Sequence, residues 1–230
     1  MNHRIGLLLC LLALASAPAA AGNLFTVYSN LGTGTNAYNC CTGWTVSGTG
    51  TIGQSFTAAN EFVPTFSDLV SEIDVAVGYV TGVNSFYINI DADNGGQPGA
   101  VLASFTGLSS STNFGSCCGL VSIFNINGAF SLSAGTAYWM VIGPTSTSAT
   151  TWEAWNLNST GAMGLDLYST DGGNGWISNG QQTLGAFDII GCGTAPPNEC
   201  TPTTPEPGSL LLFGTGLAGA LGAIRRKIGG

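Results

Sequence analysis

The chain has 230 residues, with four Lys or Arg, twelve Asp or Glu and one His. All of its basic side chains lie at the ends (His3, Arg4, Arg225, Arg226 and Lys227), so the interval from Ile5 to Ile224 carries twelve acids and no base. Without cations to neutralise phosphates, nucleic-acid binding is excluded. So are Ser or Cys catalysis with a His base, Schiff-base catalysis on Lys, and His-built zinc sites. Carboxylate chemistry and calcium binding through oxygen survive.

In chain order, the first segment reads as a secretory signal peptide over residues 1–21. His3 and Arg4 precede an apolar run from Ile5 to Leu14, and Ala19-x-Ala21 offers a peptidase site before Gly22. The run is too short to span a bilayer permanently.

Residues 22–193 are expected to form one all-β extracellular domain. Only 7% of the chain is charged and 35 residues are Gly, while 44% hydrophobic and 10% aromatic content still supply a core. Short β-like runs alternate with turn clusters. Leu69, Ser71, Ile73, Val75 and Val77 take one face of a strand, with Glu72 and Asp74 on the other. Phe86, Ile88 and Ile90 repeat the pattern. Further strands are expected over 24–28, 52–57, 101–105, 120–125, 137–142, 151–156, 165–168 and 186–190. About ten strands with close-spaced turns predict an antiparallel β-sandwich of two sheets, jelly-roll-like, with no helix before the C-terminal segment.

Three constellations in this region carry chemistry. Asp91-Ala92-Asp93-Asn94-Gly95-Gly96 has D-x-D-N-G spacing, so Asp91, Asp93 and Asn94 are candidate calcium ligands. Asn-Gly and Gly-Gly are also turn dipeptides, and a tight turn is the first reading here and at Asp171–Gly175. Carboxylate pairs for glycan hydrolysis are Glu72 with Asp74, or Glu153 with Asp166, although nothing in the spacing fixes a second acid at the required distance. Five tryptophans (Trp44, Trp139, Trp152, Trp155 and Trp176) include two, Trp152 and Trp155, that strand alternation puts on opposite faces. One of these two is expected at the surface, as a candidate glycan contact.

After removal of Cys10 with the leader, six cysteines remain: Cys40, Cys41, Cys117, Cys118, Cys192 and Cys200. An even count in an exported chain implies disulfides, and six cysteines allow fifteen connectivities. Adjacent cysteines bond each other poorly. The favoured arrangement crosslinks the 40/41 pair to the 117/118 pair and closes Cys192 with Cys200. A thiolate metal site is the rival.

A Pro/Thr spacer over 194–204 leads to Pro205-Glu206-Pro207, then an apolar stretch from Gly208 to Ile224, then Arg225-Arg226-Lys227. Seventeen apolar or small residues give a helix of roughly 25 Å, barely a bilayer core. The basic trio would stop it on the cytoplasmic side. The prolines would leave an extended, accessible site upstream.

Pro205-Glu206-Pro207, the Gly-rich apolar segment and the terminal Arg-Arg-Lys resemble the PEP-CTERM sorting signal of Gram-negative bacteria, over about residues 205–228. The resemblance implies processing by an exosortase, a membrane-embedded protease. It also implies a transient membrane anchor through the C-terminal helix, and association with exopolysaccharide in biofilm or envelope. Gln54–Thr57, Asn84–Phe86, Asp91–Leu102, Gly135–Trp139 and Trp152–Asn156 occur in an order similar to the choice-of-anchor R extracellular domain, which implies no catalytic residues. The expectation is a non-enzymatic exported surface or matrix protein without a cofactor, unless calcium binds. The alternatives are a carboxylate-dependent glycan hydrolase and a self-associating envelope protein.

Overall fold

Alternating apolar residues bounded by Gly, Asn and Ser turns give fourteen strands among the described residues. A computed structural model describes residues 24–124, 126 and 130–193. In chain order the strands are β1 (Phe25–Ser29), β2 (Tyr38–Ser47), β3 (Thr57–Phe62), β4 (Asp68–Val75) and β5 (Val77–Thr81). Then come β6 (Phe86–Asp93), β7 (Pro98–Leu108), β8 (Val121–Phe124), β9 (Ser131–Leu132) and β10 (Tyr138–Pro144). β11 (Trp152–Asn158), β12 (Met163–Ser169), β13 (Ile177–Thr183) and β14 (Phe187–Gly191) complete the set. The one described α-helix, α1, is the single turn Thr49–Ile52.

All strand pairs are antiparallel, and they form three sheets rather than the expected two. One runs β1-β14-β4-β8, with β9 also on β4. A six-stranded sheet runs β13-β12-β3-β10-β6-β7, and a three-stranded sheet runs β2-β11-β5. Their inner faces share one core, built from Phe62, Ile73, Phe86, Ile88, Ile90, Met140, Ile142, Trp155, Phe187 and Ile189.

Three local departures from the sequence expectation have physical causes. The strand expected over 52–57 starts late: Ile52 ends the helical turn Thr49–Ile52, Gly53 closes it at φ 76°, and β3 starts only at Thr57. The run from Leu69 to Val77 changes phase, because Ser71 is extra between Val70 and Glu72 where the partner advances one residue, Gly191 to Ile190. The bulge turns Val70 into the core instead of Leu69 or Ser71. The same run breaks at Ala76, where the chain passes from the β1-β14-β4-β8 sheet into the three-stranded one. There Ala76 N donates to Ala186 O, and Ala76 O accepts from Asn156 N. Ala186 N in turn donates to Asn156 O.

Buried asparagines hold the segment before β14 in place. Gly185 N donates to Asn60 Oδ1 at 2.6 Å, and Asn30 Nδ2 donates to Gly185 O at 2.8 Å. Gly185 is obligatory, since a Cβ there would lie 2.1 Å from the Trp155 ring. Among the described residues no helix is long and apolar enough to cross a membrane. The leader (1–21), the spacer (194–204) and the sorting segment (205–230) lie outside the described residues, as do Cys200, Pro205, Glu206, Pro207, Arg225, Arg226 and Lys227.

Candidate functional site

The C-terminal half of β2 and the β12–β13 hairpin enclose a cleft of about 340 Å³. Its lining includes Trp44, Thr45, Phe56, Asp166, Tyr168 and Asn179. Gly43 lets the strands approach, since a Cβ on it would fall 2.7 Å from the Trp155 carbonyl oxygen. Trp44 is half-buried against the core, and its Nε1 donates to Thr183 O at 3.2 Å. Phe56 and Tyr168 pack tilted, with ring centroids 5.9 Å apart. The cleft therefore offers three aromatic faces and a polar floor.

Asp166 forms that floor because it pairs across the ladder with Asn60, whose Nδ2 donates to Asp166 Oδ1 at 2.6 Å. On its other side the register slips, leaving Asn179 extra between Ser178 and Gly180. This bulge carries Asn179 Nδ2 to 2.5 Å from Asp166 Oδ2. Burial pushes the Asp166 carboxyl up to about 6, against the opposing amide hydrogen bonds from Asn179 and Asn60. It is the one acid in the lining. The cleft thus sets Trp44, Phe56 and Tyr168 around a buried carboxyl whose two oxygens are held by amides.

The residues singled out from sequence lie elsewhere. Trp155 is not a surface contact: it is fully buried, tilted against Phe187, and its Nε1 donates to Ala186 O at 3.2 Å. Trp152 is half-buried at the end of β11, opposite Ser47. Glu153 follows Trp155 into the interior and is fully buried. Its Oε2 accepts from Ser110 Oγ at 3.1 Å, while Oε1 has no partner. Burial pushes the Glu153 carboxyl up to about 7, and no glycan can reach it. Asp166 and Glu153 thus belong to different sheets and do not form a shared pair.

The Asp91–Gly96 loop closes as a turn on Asp93. Asp93 Oδ2 and Oδ1 accept from Gly95 N and Gly96 N, and Trp139 Nε1 donates to Asp93 Oδ1 at 2.9 Å. Asp91 is buried, with its carboxyl pushed up to about 6 by burial, and Asn94 is exposed. The Asp171 loop closes on itself in the same way, with Gly175 N and Ser169 Oγ donating to Asp171 Oδ1. Those bonds hold its carboxyl below the usual range. Glu72 and Asp74 do share a face, beside Asp188, which pairs with Asp74 in the ladder. Burial, then the neighbouring Asp74 and Glu72 charges, push the Asp188 carboxyl up to about 7. Among the described residues no group of three His, Cys, Asp or Glu is arranged to hold a metal ion.

Cys40, Cys41, Cys117 and Cys118 come together as thiols, while Cys192 is disulfide-bonded. Sequence reasoning missed the aromatic cleft. Its walls are β2 and β13, and neither strand announces itself: β2 contains Asn-Cys-Cys-Thr-Gly, and β13 reads Ile-Ser-Asn-Gly-Gln-Gln-Thr. Asp166 was visible as an acid in an alternating strand, but its amide partners come from bulge and ladder geometry.

Comparison with known families gives one match, the PEP-CTERM protein-sorting motif over residues 203–227. The match covers the C-terminal segment and does not extend to the choice-of-anchor R likeness of residues 24–190. No curated protein and no solved structure matches the chain. The motif marks an exported, membrane-associated, cell-surface protein processed by exosortase, a membrane enzyme.

Proposed function

We propose that this exported, exosortase-sorted protein is a non-enzymatic surface or matrix module that holds uncharged sugar residues of exopolysaccharide in the Trp44–Tyr168 cleft. The surrounding domain is read as a sandwich-like frame for that cleft, and the setting as the biofilm or envelope of a Gram-negative bacterium. The observation that carries the reading is the cleft itself. Three aromatic rings converge on one buried carboxyl held by two amide side chains, in a space of sugar-ring dimensions. The acid excess of the domain disfavours polyanions at low salt, which favours a neutral sugar face over an acidic one. A single lining acid supports retention over cleavage.

The test is co-sedimentation of the exported chain with the host's exopolysaccharide, with calcium or chelator, scoring released reducing ends alongside. Retention without new reducing ends is expected, reduced at least tenfold in Tyr168→Ala and in Asn179→Ala. Equal retention of both variants would move the contact off the cleft. No retention under any condition would sink the adhesion reading, and released sugar would favour a hydrolase.

A further inference from the structure

The four clustered cysteines occupy a defect in β2. Across β11, Leu157 faces Asn39 and Asn156 faces Gly43, so Cys40, Cys41 and Thr42 have no partner on that strand. The bulge pushes them toward the loop that precedes β8. That loop is fixed by its backbone against β2 and β5: Gly115 N donates to Cys40 O at 2.8 Å, while Phe114 N donates to Tyr79 O at 2.8 Å and Tyr79 N to Thr112 O at 2.9 Å. The Tyr38 hydroxyl reaches Gly119 O at 3.1 Å.

Within this frame the thiols are not equivalent. Cys40 Sγ lies 3.8 Å from Cys41 Sγ, and Cys117 Sγ donates to Tyr38 O at 3.8 Å, two residues from Cys40 on the same cleft wall. Cys118 Sγ turns away and donates to Thr35 O at 3.3 Å. Of the four, Cys40 on the strand and Cys117 on the loop share one cleft, while Cys118 is turned to Thr35 O. That cleft, of about 610 Å³, is lined by Cys40, Cys117, Asn39, Asn158 and Ser159.

We infer that Cys40 and Cys117 are a thiol–disulfide exchange site whose substrate is a protein disulfide, and that they leave it joined as one staple between β2 and the loop before β8, with Cys41 and Cys118 kept as thiols. The Cys117 hydrogen bond holds the Cys40 thiol below its usual range, which makes Cys40 the attacking sulfur. Its thiolate attacks one sulfur of the incoming disulfide, forming a mixed disulfide and expelling a partner thiolate. The hydrogen bond to Cys40 pushes the Cys117 thiol up to about 12; once Cys40 is tied up in the mixed disulfide, Cys117 loses its proton and attacks Cys40 Sγ, forming the staple and expelling the second partner thiolate. Two thiols of this chain are oxidised, one partner disulfide is reduced to two thiols, and the two protons released here are taken up there. A vicinal Cys40–Cys41 bond would close an eight-membered ring, whereas the cross-loop bond joins segments that are already hydrogen-bonded.

The test alkylates the full chain, exported by a host carrying exosortase, under denaturing non-reducing conditions. Peptic digestion at acid pH then prevents reshuffling before mass mapping. A Cys40–Cys117 linked peptide is expected, with Cys41 and Cys118 alkylated. The link should persist in the Cys41→Ala/Cys118→Ala double variant, and Cys40→Ala/Cys117→Ala should show Cys41 and Cys118 both alkylated, with no bridge between them. A Cys40–Cys41 ring would overturn the proposal. So would two bridges consuming all four thiols, four alkylated cysteines, or a Cys41–Cys118 bridge in the second variant.

Discussion

The two halves of β2 serve different ends on one continuous strand. From Gly43 to Ser47 it stays in register with β11, puts Val46 into the core and sets Trp44 at the cleft. From Cys40 to Thr42 it leaves the register, exposes sulfur and leans on a loop. One half is fixed by packing; the other is held by hydrogen bonds and, on our inference, by a covalent link. The difference shows how one strand supplies both a rigid wall and an adaptable corner. Its regular half has apolar neighbours on the core side, and Cys40, Cys41 and Thr42 of its bulged half have no partner on β11.

The sharpest way to break this contrast is at Trp155, opposite Trp44 in the ladder. Trp155→Ala is expected to cost about 3–5 kcal/mol in denaturant unfolding, because it empties the site between Gly185 and Phe187. A loss below about 1 kcal/mol would mean that the regular half does not depend on packing. Next in size, Cys117→Ala should lower stability in oxidising buffer by about 2–4 kcal/mol through loss of the 40–117 closure, and should show no difference from wild type under reductant.

A smaller effect concerns acids in the interior. Asp166 and Asp91 are raised to about 6, and Glu153 and Asp188 to about 7, so the folded chain holds these protons more tightly than the unfolded chain does. Their stabilisation is fully present below the unfolded values near 4 and is lost as pH rises through 6 to 7. Thermal melts should therefore give a Tm several degrees lower at pH 8 than at pH 4.5, and Asp166→Asn should flatten part of that slope. The smallest stability change belongs to the cleft rim. Asn179→Ala should cost no more than about 1 kcal/mol while polysaccharide retention falls. Equal losses in both readouts would make the rim structural.

The broad class was legible in the sequence. Alternation at Phe86, Ile88 and Ile90 gives an inward face, and all three are fully buried. The C-terminal signal was legible because its elements are contiguous. What failed were inferences that extend a period through an irregularity. Ser71 shifts the phase of β4, Ala76 ends it, and neither bulge nor sheet switch leaves a trace in hydrophobicity. The tryptophan argument worked as geometry, with Trp152 and Trp155 on opposite faces, but it pointed to the wrong rings. Those at the cleft are Trp44, Phe56 and Tyr168, on strands brought together only by long-range pairing. The nearness of Cys40 to Cys117 likewise depends on a bulge and on the loop that carries Cys117, 77 residues downstream.

The junction at Ala76, Asn156 and Ala186 has a consequence for how the domain opens. Three amides there bond between the β1-β14-β4-β8 sheet and the three-stranded sheet, and next to them Gly185 N bonds to Asn60 of the six-stranded sheet. No sheet can part from the others without exposing this knot, so subglobal opening that spares it is confined to outlying strands such as β7 and β13. In native-state hydrogen exchange the amides of Ala76, Asn156, Gly185 and Ala186 should be released only with the whole domain, as one cooperative unit.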